Sequence, residues 1–326
     1  MVTLVVPIYN KERELDRCLD SLLRQTCREF EIILVDDGST DSSGAVCDSY
    51  AQRHPELVRV IHKPNGGPSS ARNTGLDAAR GEFVIFPDPD DWVEPNYVHT
   101  LLSLQREYQA DMVCVGHYVD SDGISAPDRR DQPQAMMSGK DAQRGLLLPP
   151  RLQGFSWNKL YRMEIIREQN LRFQEELFIT EDLWFAYCYL PHCRRVCYAP
   201  SKRIYHYCQS GESITANIFS PRKLGVIRVM EQIREDCAGR DPELAQIAED
   251  EICTVAVNLL WMLVNSGEKD ADTMAYLRKN IHRTLPGYFR SGIYGGGRKV
   301  QALLALICPR LFTWIKNLVQ RAKKAM

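Results

Sequence analysis

The chain lacks any uninterrupted apolar run approaching the roughly 20 residues needed to cross a bilayer, which argues against a spanning helix. It also lacks net charge. In 326 residues, 41 Lys and Arg face 42 Asp and Glu, a formal charge of -1, so no global field draws it to nucleic acid and any electrostatic specialisation must be local. Met1-Val-Thr-Leu-Val-Val-Pro7 reads as a strand from the outset, leaving no room for the basic and apolar regions of a signal peptide. The eleven cysteines are an odd number, and none are spaced as C-x-x-C. Their apolar contexts, as around Cys114 and Cys253, suit free thiols in a reducing compartment, so a cytoplasmic protein is expected. Cys188, His192, Cys193, Cys197 and Cys208 lie close together, but their spacing favours thiols over zinc. Both G-x-G-x-x-G and the P-loop are missing, which counts against NAD enzymes and ATPases.

What is present is an ordinary globular composition, 44% hydrophobic and 25% charged, with short apolar runs alternating with helical patterns. Strands are expected over 2–6, 30–35, 58–61, 83–86 and 112–115. Helices are expected through 15–23, 45–50, 69–79 and 97–108. Residues 119–139 read as a polar connection. A second region holds 155–161, 179–185 and a strand ending at 204–207, and helices follow over 221–237, 242–265 and 271–284. This alternation predicts an α/β fold with a mostly parallel sheet covered on both faces, whose ligands gather at the carboxyl ends of the strands.

Those strand ends carry the chemistry. Asp88-Pro89-Asp90-Asp91 offers hard oxygen ligands suited to Mg²⁺ or Mn²⁺ shared with a diphosphate, the alternative being acidic caps for the next helix. Asp36 is placed to accept hydrogen bonds from a base or ribose, while Ser39, Thr40 and Asp41 read as helix caps. Gly66-Gly67 before a helix suggests close backbone approach to a phosphate, with Arg72 and Asn73 as donors.

Five segments, Val5-Val-Pro-Ile-Tyr-Asn10, Ile33-Leu-Val-Asp-Asp-Gly-Ser-Thr-Asp41, Asn65-Gly-Gly-Pro-Ser-Ser-Ala-Arg-Asn-Thr-Gly75, Phe86-Pro-Asp-Pro-Asp-Asp-Trp92 and Thr180-Glu-Asp-Leu-Trp-Phe185, occur in the order and approximate spacing of a known family. Over residues 1–215 the chain resembles the inverting family 2 glycosyltransferases, which have the GT-A fold. The resemblance implies that Pro7 and Tyr9 flank the nucleotide base, that Asp36 hydrogen-bonds it and that Asp37 lines the same pocket. It places Gly67 and Arg72 near the diphosphate, Asp88 near ribose and metal, and Asp90 as the most direct metal ligand, with His206 as a further ligand. Asp182 matches the catalytic base, and Glu181, Trp157 and Lys159 fall on the acceptor side. One departure is Pro89, where relatives have a small residue; proline should stiffen the loop without removing a carboxylate.

The implied reaction moves a sugar from a nucleotide-sugar donor, UDP-linked, to a hydroxyl of a glycan or polyprenol-diphosphate-linked acceptor in cell-surface polysaccharide assembly, with Mn²⁺ or Mg²⁺. Asp182 takes the acceptor proton, and the cation with Arg72 meets the charge developing on the departing diphosphate. A sugar-nucleotide-forming nucleotidyltransferase would need a glycine-rich, lysine-bearing loop after the first strand, where Pro7-Ile-Tyr-Asn-Lys-Glu stands. A glycoside hydrolase has no use for a nucleotide pocket. A non-catalytic, membrane-recruited nucleotide-sugar-binding subunit is the remaining rival.

From Arg298 to Met326 there are seven basic residues and no acid, interleaved with Leu303, Leu304, Leu306, Ile307, Leu311, Phe312, Trp314, Ile315, Leu318 and Val319. This predicts an amphipathic segment lying on the inner face of an anionic membrane, kinked or divided at Pro309. The alternative is that its apolar face packs on the catalytic domain or on a second copy of the chain. The expected organisation is a catalytic domain over 1–215, with a donor half at 1–115 and an acceptor half at 140–215. A helical region at 216–297 and the basic tail at 298–326 complete it.

Overall fold

In the computed structural model, residues 1–121, 123–128, 133–148, 152–209 and 218–325 are described, with side chains to 319. The chain divides into two units, Met1–Gly211 and Glu212–Met326.

The first unit carries strands β1 (Val2–Ile8), β2 (Phe30–Asp36), β3 (Val58–His62), β4 (Phe83–Ile85), β5 (Trp92–Val93), β6 (Met112–Ser121), β7 (Ile124–Pro127), β8 (Ala135–Met137), β9 (Lys159–Arg162) and β10 (Val196–Cys208). Its helices are α1 (Leu15–Leu23), α2 (Ser43–Arg53), α3 (Gly67–Ala78), α4 (Tyr97–Tyr108), α5 (Gly139–Leu147), α6 (Met163–Glu168) and α7 (Glu181–Tyr189). One sheet runs in the order β3-β2-β1-β4-β9-β6-β10-β5, with β7 beside β6 and β8 beside β10. β1 lies parallel to both β2 and β4. Every residue of β1 and β2 is buried, as central parallel strands with helices on both faces require. Because Ile8 stands opposite Asp36 and Leu4 opposite Ile85, the chain leaves β1, β2 and β4 at one edge, which gathers their loops. On α3, a Cβ at Gly75 would lie 2.1 Å from Val5 Cγ1, so only glycine lets this helix approach β1.

β9 enters antiparallel between β4 and β6, bringing Tyr161 opposite Val84 and Met112. The stretch 119–139, read as a polar connection, is corrected in its described part: β6 runs on to Ser121, β7 returns along it, and β8 pairs with β10. β7 is exposed at all four positions, so it has no buried face to leave a periodic signal.

The second unit is helical: α8 (Gly225–Cys237), α9 (Pro242–Ser266), α10 (Ala271–Arg290), α11 (Gly296–Ile307) and α12 (Pro309–Ala325). Asp241 and Asp270 cap α9 and α10 by accepting from Leu244 N and Thr273 N. Ile227, Ile233, Ile252, Leu260, Leu263, Leu277, Ile281 and Phe312 are buried in it. Pro309 opens α12 and thereby divides the tail, a first-turn position where its missing N–H costs nothing. Val300, Leu303, Ile307, Leu311, Trp314 and Leu318 are exposed at helical spacing, whereas Lys316 turns inward, its Nζ 4.2 Å from the centre of the Trp261 ring and donating to Asn258 Oδ1. Burial lowers the Lys316 ammonium to about 8.

Candidate active site

After β4 the chain folds into a tight turn closed by Asp91 N donating to Asp88 O at 3.2 Å. Pro89 takes its second position, where a fixed φ is favoured and no N–H is needed, so the residue that departs from the family pattern has a local explanation. Asp91 points inward, accepting from Tyr205 Oη at 2.7 Å and Cys208 N at 2.8 Å. Burial, then the charges of Asp88 and Asp90, push its carboxyl well above the usual range. The same Tyr205 hydroxyl accepts from Asp88 N at 3.1 Å, so one residue of β10 pins both ends of the turn. Asp88 and Asp90 keep side chains 26% and 38% exposed.

Asp90 Oδ2 accepts from Lys11 Nζ at 2.7 Å, and Arg17 Nη2 donates to the Asp90 carbonyl. Burial opposes the Lys11 charge, but Asp90 outweighs it and raises the ammonium above its ordinary value. Neither Lys11 nor Tyr205 emerged from sequence reasoning. The signal for Lys11 was a cation directly after Tyr9-Asn10 at a strand end; a tyrosine inside a strand carries none.

At the end of β2, Asp36 accepts from Ser39 N at 3.1 Å and faces His62 Nδ1 at 2.9 Å. Burial works against its charge, yet these hydrogen bonds hold the carboxyl below the usual range. Tyr9 follows β1 at the same edge with 47% of its surface open, and Pro7 behind it is buried. Asn10, at φ +51°, braces this corner by accepting from Thr40 N. Asp37 and Gly67 require a correction. Asp37 is buried and accepts from Gly66 N at 3.0 Å, Gly67 N at 2.7 Å and Lys63 Nζ at 2.6 Å. The amides read as a phosphate cradle are thus filled by the chain's own carboxylate, and both residues hold the loop.

Arg72 connects the two halves. Buried on α3, its Nη2 lies 3.1 Å from Asp88 Oδ1, while Nη1 lies 2.9 Å from Glu181 Oε1 and 3.2 Å from Asp182 Oδ1. Burial opposes its charge, but Asp182, Asp88 and Glu181 overcome that and raise it. Burial pushes Asp88 up to about 7, with Arg72 pulling down and Asp90 and Asp182 pushing further up. Glu181 is raised by burial and then by Asp182. Asp182 Oδ2 accepts from Ser156 N at 3.2 Å. Its Oδ1 is within ion-pair distance of Arg72 but accepts no aligned hydrogen bond, leaving unused acceptor capacity. Thr180, just before α7, is held at φ +69° with no side-chain cap bond, a strained conformation for a β-branched residue.

Two further expectations, those for Trp157 and Lys159, are corrected. Trp157 is 2% exposed and stacks on Tyr205 and Phe155 at 4.3 and 4.9 Å between centroids, so it is a core anchor rather than a sugar platform. Lys159 is fully buried, its Nζ donating to the carbonyls of Gln153 and Phe155, so it ties a loop. Burial lowers its ammonium. His206 has both ring nitrogens engaged, Nδ1 with Asp120 at 3.2 Å and Nε2 with Glu94 at 3.1 Å, and stacks on Trp92.

The remaining donor set fits a divalent cation. Asp88, Asp90, Glu181 and Asp182 outnumber Arg72 and Lys11, which leaves a surplus of negative charge beside the turn. Among the described residues no cluster of three metal-binding side chains forms. Two protein oxygens with the rest of the shell from water and a diphosphate is the usual arrangement for Mg²⁺.

Comparison with known proteins identifies the family and the fold. The glycosyl transferase family 2 profile matches residues 3–169. EpsJ of Bacillus subtilis, described as an uncharacterized glycosyltransferase, is 36% identical over 232 residues, which are 68% of this chain and 64% of that protein. The chain thus spans less than two thirds of that relative's length. Staphylococcus aureus TarS (residues 1–349), solved in complex with UDP-GlcNAc, superposes with a TM-score of 0.66 at 21% identity, covering 95% of this chain and 85% of that one. The mannosyltransferase PcManGT from Pyrobaculum calidifontis, solved with GDP-Man and Mn²⁺, gives 0.54 at 18% identity, covering 97% and 84%. These two likenesses are of fold, and the GT-A expectation agrees with them. With its profile match across half the chain and its strand-end aspartates gathered at one edge, the protein belongs to glycosyl transferase family 2.

Proposed function

We propose that the protein transfers a sugar, with inversion, from a UDP-sugar to a hydroxyl of a glycan or polyprenol-diphosphate-linked acceptor in cell-surface polysaccharide assembly. The observation that carries this reading is Arg72, which binds Asp88 of the donor turn and Asp182 at the start of α7 with one guanidinium. Tyr9 stacks on the base and Asp36 accepts its N–H. Asp88 and Asp90 hold Mn²⁺ or Mg²⁺, which when bound neutralises charge on the leaving diphosphate. Asp182 accepts the acceptor's hydroxyl proton as that oxygen attacks the anomeric carbon; the bond to the diphosphate breaks on the opposite face, and its electron pair stays with the diphosphate oxygen. Arg72 turns toward that growing charge. The UDP-GlcNAc bound by TarS and the Mn²⁺ bound by PcManGT support the donor and metal assignments.

Peripheral membrane contact through α11 and α12 is part of the proposal. No helix among the described residues is long and apolar enough to cross a membrane. The exposed row from Val300 to Leu318, with Trp314 62% exposed and no acid beyond Arg298, suits an anionic surface. A panel of nucleotide sugars with Mn²⁺ or Mg²⁺, scored by thermal shift and donor hydrolysis, tests the donor assignment. UDP-sugars should stabilise the protein more than GDP- or dTDP-sugars, and failure of every UDP-sugar to bind would overturn it.

A further inference from the structure

His62, at the end of β3, lies between two carboxylates. Its Nδ1 is 2.9 Å from Asp36 Oδ2 and its Nε2 is 2.9 Å from Asp48 Oδ1 on α2. A neutral imidazole has one N–H, so it can donate to only one of them; both contacts are satisfied only by the imidazolium. The surroundings are shaped for this contact. A Cβ at Gly44 would lie 3.0 Å from Asp36 Oδ2 and 3.6 Å from His62 Cε1, so glycine keeps the space beside the pair open. The Cys47 thiol of α2, close enough to feel both Asp36 and Asp48, is kept neutral because burial pushes it up to about 12, and Lys63, next along the chain, is tied to Asp37. With the side chain 48% exposed, protons reach the ring freely.

We propose that His62 is a positioning residue for the nucleotide: as an imidazolium held by Asp48 it fixes the Asp36 carboxylate, with Oδ1 pinned by Ser39 N, in the orientation that accepts the N–H of uracil, and so ties donor affinity to pH. The inference rests on the reading of Asp36 as the base-binding carboxylate. Hydrogen bonds from the ring to Asp48 and Asp36 raise the His62 pKa, so the charged form persists toward neutral pH. Above that range the ring loses a proton. The Asp48 contact is released, Asp36 is held by one neutral donor, and the pocket gains one negative charge facing a polyanionic ligand. Affinity for UDP should therefore fall as pH rises.

The test is calorimetric titration of UDP into the full chain between about pH 6 and about pH 9. Wild type is compared with Asp48→Asn, His62→Gln and Asp36→Asn. UDP's own titration is common to all four and cancels in the comparison. Wild-type affinity should fall with rising pH, and Asp48→Asn should show the same fall displaced to lower pH, a shift that a merely structural histidine would not produce. His62→Gln should lose the displaceable step and bind UDP roughly tenfold more weakly at the acid end. Superimposable profiles for wild type and Asp48→Asn, with Asp36→Asn weakened, would overturn the role of His62 alone. Unchanged UDP binding by Asp36→Asn, or no binding by wild type, would overturn the donor-site reading and this inference with it.

Discussion

Arg72 Nη1 stands 3.2 Å from Asp182 Oδ1 across 110 residues of sequence, and the same guanidinium reaches Asp88 at 3.1 Å. A cation that pairs with the Asp88–Asp91 turn is thus also the counter-charge of the candidate base. A diphosphate that draws Arg72 toward itself would loosen its hold on Asp182 as the base is needed. Asp182→Asn should lower turnover by about a hundredfold or more while leaving UDP affinity within a few fold. Initial rates beside calorimetry check this, and unchanged turnover would favour a non-catalytic binding subunit.

Removing Arg72 leaves buried carboxylates without their partner. Arg72→Ala should cost about 3 kcal/mol or more of unfolding free energy, since an uncompensated buried charge is more damaging than a lost pair. Adding Glu181→Gln should restore part of that loss. Denaturant melts of the single and double variants measure the coupling, and strictly additive effects would contradict it.

Tyr205→Phe removes the hydroxyl that pins both ends of the Asp88–Asp91 turn. The expected outcome is Mn²⁺ binding in the presence of UDP weakened by about tenfold, with a stability loss of roughly 1–3 kcal/mol because Asp91 Oδ2 loses its partner. Titration followed by the Mn²⁺ electron spin resonance signal checks it independently of turnover.

Glu251, in α9, is buried, and its Oε1 has no hydrogen-bond partner. Burial pushes its carboxyl from 4.5 to about 7, with Arg298 pulling down and Asp250 pushing up. The folded state therefore holds the proton more tightly than the unfolded chain. Its contribution is intact below about pH 4.5 and is lost as pH rises through about 7. Glu251→Gln should be more stable than wild type at alkaline pH by up to about 3 kcal/mol, the advantage shrinking as pH falls. Melts across this range check the sign, and a pH-independent difference would refute it.

Placing an acid on the exposed tail tests the membrane proposal. Leu311→Glu with Trp314→Glu should abolish co-sedimentation with vesicles containing anionic lipid and leave UDP binding unchanged. Retained sedimentation would mean that these residues do not form the contact surface.

Much of the acidic strand-end edge was legible because it is local. A strand followed by aspartates places those aspartates at a strand end whatever the rest of the chain does, so Asp36, Asp88 and Asp90 could be read directly. Pro89 became intelligible once the bond from Asp91 N to Asp88 O defined a turn. Asp37 and Gly67 were misread because composition does not say which anion fills a nest of amides. Trp157 and Lys159 were misread for a related reason: an aromatic ring or an ammonium has the same letter whether it faces a ligand or the core.

The amino-acid sequence by itself determined the alternation of β1 to β4 and β6 with α1 to α4, the edge at which the acidic loops emerge, and the family, since each follows from short-range periodicity and contiguous motifs. Only the tertiary structure decided which charges meet. Arg72 and Glu181 are 109 residues apart, and Tyr205 and Asp91 114. Such pairs form when the insertion of β9 and the return of β10 close the sheet. Burial then removes water as the alternative partner, and each polar group must take whichever neighbour the fold supplies.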